Sequence, residues 1–217
     1  MKEKDLVGMS KTTSILCSPF LMPVAGLLIL FNYLSILPWA VKLHYFLIFL
    51  LFTAMLPLTL IRIYCRLKGW SMEELKERGE VLAPCIICIL SFVVGCYCLI
   101  MNNMPYNIIY IDGNGIYCNL NGETFQGIFI AAIVILMLCA IIHRWYHISL
   151  HCAAIGGLLG AITSYSVIFS FNPIWWMCFI ILLGGLVGTS RMVLKKYTLI
   201  QVVAGFLLGT ICATMVI

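Results

Sequence analysis

The residues most able to do chemistry form a short polar, basic island at 189–205, inside an otherwise apolar stretch. It holds Ser190, Arg191, Lys195, Lys196, Tyr197 and Gln201. Two further clusters carry related side chains. Lys76 and Arg78 precede Pro84, and His143, Arg144, His147 and His151 surround Ser149. Arg presents a planar fork of N–H donors, Lys a point charge and Ser a hydroxyl donor. Brought together, these groups match what a phosphate needs. Taken singly, each cluster reads as cationic anchoring at a membrane surface.

Metal chemistry is not expected. His143, His147 and His151 recur every fourth residue, and on one continuous helix they would share a face. Ser149 and the nearby loop interrupt such a helix, and no carboxylate accompanies them. Cys85-x-x-Cys88 has metal-like spacing. It lies in an apolar run with no second pair and no nearby His, so it reads as helix packing. Of the 11 Cys, all but Cys118 lie in or beside apolar runs, where Cys behaves as a small hydrophobe. No cofactor is implied.

The elements that must position these residues are membrane helices. The chain has 217 residues, 63% hydrophobic and 10% charged, against about 25% charged in a soluble domain. The apolar runs are long and not alternating, which selects helices over a barrel. The expected architecture is an all-α integral membrane protein, an antiparallel transmembrane bundle of six to seven helices. Seven candidate spans fall near 19–37, 43–62, 83–101, 127–143, 150–170, 173–190 and 199–217. Residues 1–18 form a polar N-terminal segment without signal-peptide layout, and 19–217 form the bundle. Seven spans place every Lys and Arg except Lys42 on one side, the cytoplasmic side by the positive-inside rule.

The loop 102–126 lies on the other side. Within it, 107–111 and 116–120 flank Asp112-Gly113-Asn114-Gly115, a pattern that predicts a small hairpin. Gly156 with Gly160, Gly184 with Gly188, and Gly205 with Gly209 recur at i, i+4. That spacing lets helix backbones approach closely in lipid, so the last three helices are expected to form the tight core.

These residues resemble the type 2 phosphatidic acid phosphatase superfamily, which includes the vanadium haloperoxidases and bacterial undecaprenyl-diphosphate phosphatases. The third signature, Ser-Arg-x5-His-x3-Asp-x3-Gly, is matched by Ser190, Arg191 and Gly205. The second, Pro-Ser-Gly-His, keeps Ser149 and His151 in Ile148-Ser149-Leu150-His151. The first, Lys-x6-Arg-Pro, has Lys76 and Pro84 in register with Ala83 at the Arg position. The resemblance covers about 60–217 and is nearest to a bacterial branch, which implies a multi-pass protein of the bacterial inner (cytoplasmic) membrane. It implies phosphate binding by Ser149, Ser190 and Arg191 with help from Lys76, and His151 as general acid. The substrate implied is a phosphorylated lipid or isoprenoid (di)phosphate, with no nucleic-acid partner.

Two departures bear on activity. Tyr197 stands at the nucleophile position and Gln201 at that of the orienting acid. A phenol of pKa near 10 is mostly protonated at neutral pH. Lowering it by about three units would require roughly 4 kcal/mol of differential stabilisation. Three readings follow. The chain is a lipid-phosphate phosphatase, active or with its activity lost at Tyr197; or a non-catalytic lipid-phosphate-binding protein; or a small transporter. The transporter reading finds no acidic residue in any predicted span and no inverted repeat.

Overall fold

The computed structural model describes residues 8, 10, 12–13, 17–35, 37–70, 75, 82–101, 108–111, 117–120 and 122–217. Among the described residues, seven helical segments follow one another. They are α1 (Met22–Tyr33), α2 (Trp39–Lys68), α3 (Leu82–Met101), α4 (Gly122–Ile142), α5 (Leu150–Ile168), α6 (Ile174–Val193) and α7 (Leu199–Val216). Six of them, α2 to α7, are long and apolar enough to cross a membrane. The chain is therefore a multi-pass integral membrane protein built as an all-α bundle.

The first expected span, 19–37, is shorter than its hydropathy suggests. Only Met22–Tyr33 is helical, 12 residues, or about 18 Å against a hydrocarbon core of about 30 Å. Proline explains both limits. Pro23 sits in the first turn, where a missing N–H costs nothing. Pro38 caps the next helix in extended conformation, so the residues before it leave the helix. The second span, expected at 43–62, runs further in both directions. Its C-terminus is closed by Gly69 at φ 68°, a left-handed position that favours glycine.

Midway along α2, Leu51–Met55 widens into a π-turn. Such turns displace backbone groups from the α-helical bonding pattern. Here the Phe52 carbonyl accepts the Ser91 hydroxyl of α3 at 2.6 Å. Both Ser91 and Thr53 are buried, and Thr53 Oγ1 donates to the Phe49 carbonyl at 2.7 Å.

Between α3 and α4, β1 (Ile108–Ile111) pairs antiparallel with β2 (Tyr117–Leu120), Ile108 opposite Leu120 and Ile111 opposite Tyr117. This is the hairpin expected within 102–126. The turn residues 112–115 lie outside the described residues.

The closest helix pair is α5 with α7, which run parallel. A Cβ at Gly156 would meet the Phe206 carbonyl, and one at Gly160 the Thr210 carbonyl. In the other direction, a Cβ at Gly205 would lie 2.8 Å from the Ser149 carbonyl, and one at Gly209 would meet that of Ala153. The two i, i+4 glycine pairs thus interlock, each admitting the backbone of the facing helix. Gly184 and Gly188 on α6 pack instead against side chains of α7, Phe206 and Val202.

On the other face of α5 lies an apolar cavity of about 140 Å³. It runs from Pro84 and Leu150 at one end to Phe92 and Tyr165 at the other, walled by α1, α3, α4 and α5. The small residues Ala132, Ala154 and Ala161 lie along its walls.

Candidate anion-binding site

Parity brings the end of α2, the start of α3 and the connections at 143–149 and 194–198 to one end of the bundle. Two of the three basic clusters can be followed there. Lys76 and Arg78 lie outside the described residues.

The island at 189–205 is not one loop. Ser190 and Arg191 belong to the last turn of α6, which ends at Val193. Arg in a final turn complements the negative end of the helix dipole. The chain then reverses through a Schellman turn. Lys196 N–H donates to the Arg191 carbonyl at 3.2 Å, and Lys195 N–H to that of Met192 at 2.9 Å. Lys195 takes the left-handed conformation, φ 53°, that this turn requires. The reversal sends Lys195 and Lys196 outward, both exposed, and brings Tyr197 back beside Arg191.

Arg191 is 8% exposed, and its Nε is buried without a hydrogen-bond partner. It lies close enough to Tyr197 and to Cys152 of α5 for electrostatic interaction with both. A buried guanidinium with an unsatisfied N–H is costly unless an anion completes it.

Ser149 stands at the N-cap position of α5, fully buried and without a side-chain capping bond. Its hydroxyl donates to the Cys152 sulfur at 3.3 Å. Cys152, placed between Ser149 and Arg191, is a neighbour that the motif spacing did not single out; its position in the first turn after Ser149 was the available signal. His151 sits in the same first turn, half-buried. Ser190 is buried too, but its hydroxyl donates to the Leu186 carbonyl of its own helix at 2.8 Å.

Gln201 is the third residue of α7. Its Oε1 accepts the Thr198 backbone N–H at 2.9 Å, closing one half of a capping box. Tyr197 is half-buried against the α5–α6–α7 core. Burial pushes its phenol above the usual value, and the nearby Arg191 pulls in the opposite direction without overcoming it.

α5 and α7 are parallel, so both present their N-termini at this end, with Arg191 at the end of α6 beside them. First-turn N–H groups lack intrahelical acceptors, and the dipole makes this end electropositive. Two such ends beside a buried guanidinium make an environment suited to a negative group.

The imidazoles of His143 and His147 approach within 4.4 Å between ring centroids. His143, His147 and His151 do not share one helix, because α4 stops at Ile142 and α5 begins at Leu150. Among the described residues, no group of three or more His, Cys, Asp or Glu side chains is arranged to hold a metal ion.

No family profile, no curated protein and no solved structure matches the chain.

Proposed function

We propose that this membrane protein binds the phosphate of a phosphorylated lipid or isoprenoid (di)phosphate and does not turn it over. The observation that carries this reading is Arg191, buried at the meeting point of two parallel helix N-termini with its Nε unpartnered. The site also lies at the ends of the spanning helices α5, α6 and α7, the level at which lipid phosphates are expected. Two separate segments approach each other there, since the Cys152 sulfur accepts the Ser149 hydroxyl and lies near Arg191.

Absence of turnover is favoured by three engagements. The Tyr197 phenol is pushed toward its protonated form. The Gln201 oxygen is held by the α7 cap. The Ser190 hydroxyl is bonded within its helix. In this reading the protein resides in the bacterial cytoplasmic membrane with its basic end toward the cytoplasm. Thiol labelling of Cys118 from outside intact cells tests that orientation.

The binding test uses nanodiscs containing phosphatidic acid. Arg191→Gln is expected to weaken binding at least tenfold, about 1.4 kcal/mol, while the melting profile shows that the variant is folded. Equal affinity in wild type and variant would remove the proposal. Phosphate release from a lipid panel, above that of His151→Ala, would replace it with the phosphatase reading.

A further inference from the structure

The apolar cavity on the opposite face of α5 from Arg191 has no part in phosphate recognition, and its shape calls for a different ligand. Leu150 lines one end of it and Tyr165 the other. Those residues are 15 positions apart on one helix, about 22 Å at 1.5 Å per residue. A volume near 140 Å³ is comparable to a soluble-core cavity that accommodates one benzene ring. That volume holds a segment of one hydrocarbon chain and leaves no room for a second.

Its lining is apolar along the whole depth. The only hydroxyl among the described lining residues, that of Tyr165, donates to the Thr124 carbonyl at 2.6 Å. Water would therefore find no polar partners there. The walls belong to α1, α3, α4 and α5, of which the last three are spanning helices. At that depth the surrounding medium is hydrocarbon, and its units are lipid chains. Pro84 and Leu150 are only partly buried, whereas Leu30, Phe92 and Tyr165 at the far end are buried, and the Pro84–Leu150 end lies at the same end of the bundle as Ser149 and Arg191. A lipid whose chain enters at Leu150 keeps its headgroup at the membrane face where the buried cation sits.

We infer that this slot seats a single hydrocarbon chain of the bound lipid, inserted from the Leu150 end toward Tyr165. Ala132, Ala154 and Ala161 keep it open, since larger side chains at these positions would project into it. Tyr165 and Phe92 form the floor and set how much chain is buried. The identity of the headgroup rests on the proposed phosphate site; the seat of the chain does not.

The test is photocross-linking with phosphatidic acid bearing a diazirine near the methyl end of one chain, in phosphatidylcholine nanodiscs, read by peptide mass spectrometry. In the wild type, label is expected on the deep residues Leu30, Phe92 and Tyr165. Ala161→Phe is expected to abolish the deep label while leaving label on outward residues such as Leu182 and Leu207. Ala132→Leu, a milder filling, is expected to reduce it. Label confined to outward residues in the wild type, or deep label unchanged in both variants, overturns the inference. A parallel arm with the same chain on phosphatidylcholine separates the two proposals. Deep label from both lipids, with affinity for phosphatidic acid indifferent to Arg191→Gln, keeps the slot and removes the phosphate site.

Discussion

The side-chain oxygen of Gln201 accepts the backbone N–H of Thr198 at 2.9 Å. This bond gives a structural task to a residue whose spacing suggested a catalytic partner. The same oxygen closes the first turn of α7. Tyr197, the residue just before Thr198, is left with Arg191 as its charged neighbour.

Gln201→Ala should accordingly act on stability. Loss of this half of the capping box is expected to cost about 0.5 kcal/mol, the low end of what an N-cap contributes, seen as a lower melting temperature. Gln201→Glu restores the acceptor and places a negative charge at a helix N-terminus, so its melting temperature should match or exceed that of the wild type. A destabilised Glu variant would contradict the capping role.

Tyr197 should stay protonated through neutral and mildly alkaline pH, because burial raises its pKa against the pull of Arg191. Phosphate release is therefore expected to stay at background in the wild type from pH 7 to about 9.5, below the ordinary phenol pKa of about 10. Tyr197→His supplies an imidazole that is neutral at pH 7. Turnover appearing in that variant alone would locate the lost step at this side chain, and turnover in the wild type as pH rises would refute the assignment.

The interlocked glycines give a contrast that needs no ligand. Gly209→Ala places a methyl against the Ala153 carbonyl. Forcing α5 and α7 apart is expected to destabilise by about 1–3 kcal/mol. On the neighbouring α6, a Cβ added at Gly185 would meet nothing within 4 Å, so Gly185→Ala should be neutral or stabilising by up to about 1 kcal/mol. Melting both variants in the same detergent checks the pair, and equal effects would contradict the packing.

His143 is held below the usual imidazole pKa, first by burial and second by His147. As pH falls, the unfolded chain takes up the proton before the folded one. The stability contribution is thus complete above about pH 6.5 and declines as pH drops through that value toward the lower folded pKa. Melting temperatures at pH 8 and pH 5.5 should differ more in the wild type than in His143→Gln. An equal difference in the two proteins would show that this imidazole is not the titrating group.

The sequence revealed the bundle because hydropathy and length decide it. Five of the seven expected spans, those near 83–101, 127–143, 150–170, 173–190 and 199–217, lie within a few residues of the observed helices. The exceptions have local causes. Pro23 and Pro38 shorten α1, and the basic residues Arg62, Arg66 and Lys68 extend α2 on its half-exposed end, beyond where an apolar window stops. The glycine pairs were legible as contact spacing. Which carbonyls they admit was not, because that depends on the parallel approach of α5 and α7.

For the candidate site, spacing marked Ser149, Ser190 and Arg191, and the structure places Arg191 near Cys152, the residue bonded to Ser149. Spacing could not distinguish buried Arg191 from exposed Lys195 and Lys196, because the difference arises from the turn that follows α6. Nor could it anticipate the engagement of Ser190 with Leu186, a bond to a carbonyl four residues back on the same helix. The apolar slot left no sequence signature, since its walls come from four separate helices.

The widened turn at Leu51–Met55 sets the rotational phase of everything after it in α2. An α-helix advances about 100° per residue, so removing one residue from that turn would swing Arg62, Arg66 and Lys68 roughly a quarter-circle around the helix axis. The Ser91 hydroxyl, clasped to the Phe52 carbonyl, acts as the detent that keeps this phase. The direction in which the basic tip of α2 faces is thereby decided by a polar contact buried deep in the hydrocarbon layer, several turns away from the charges it aims.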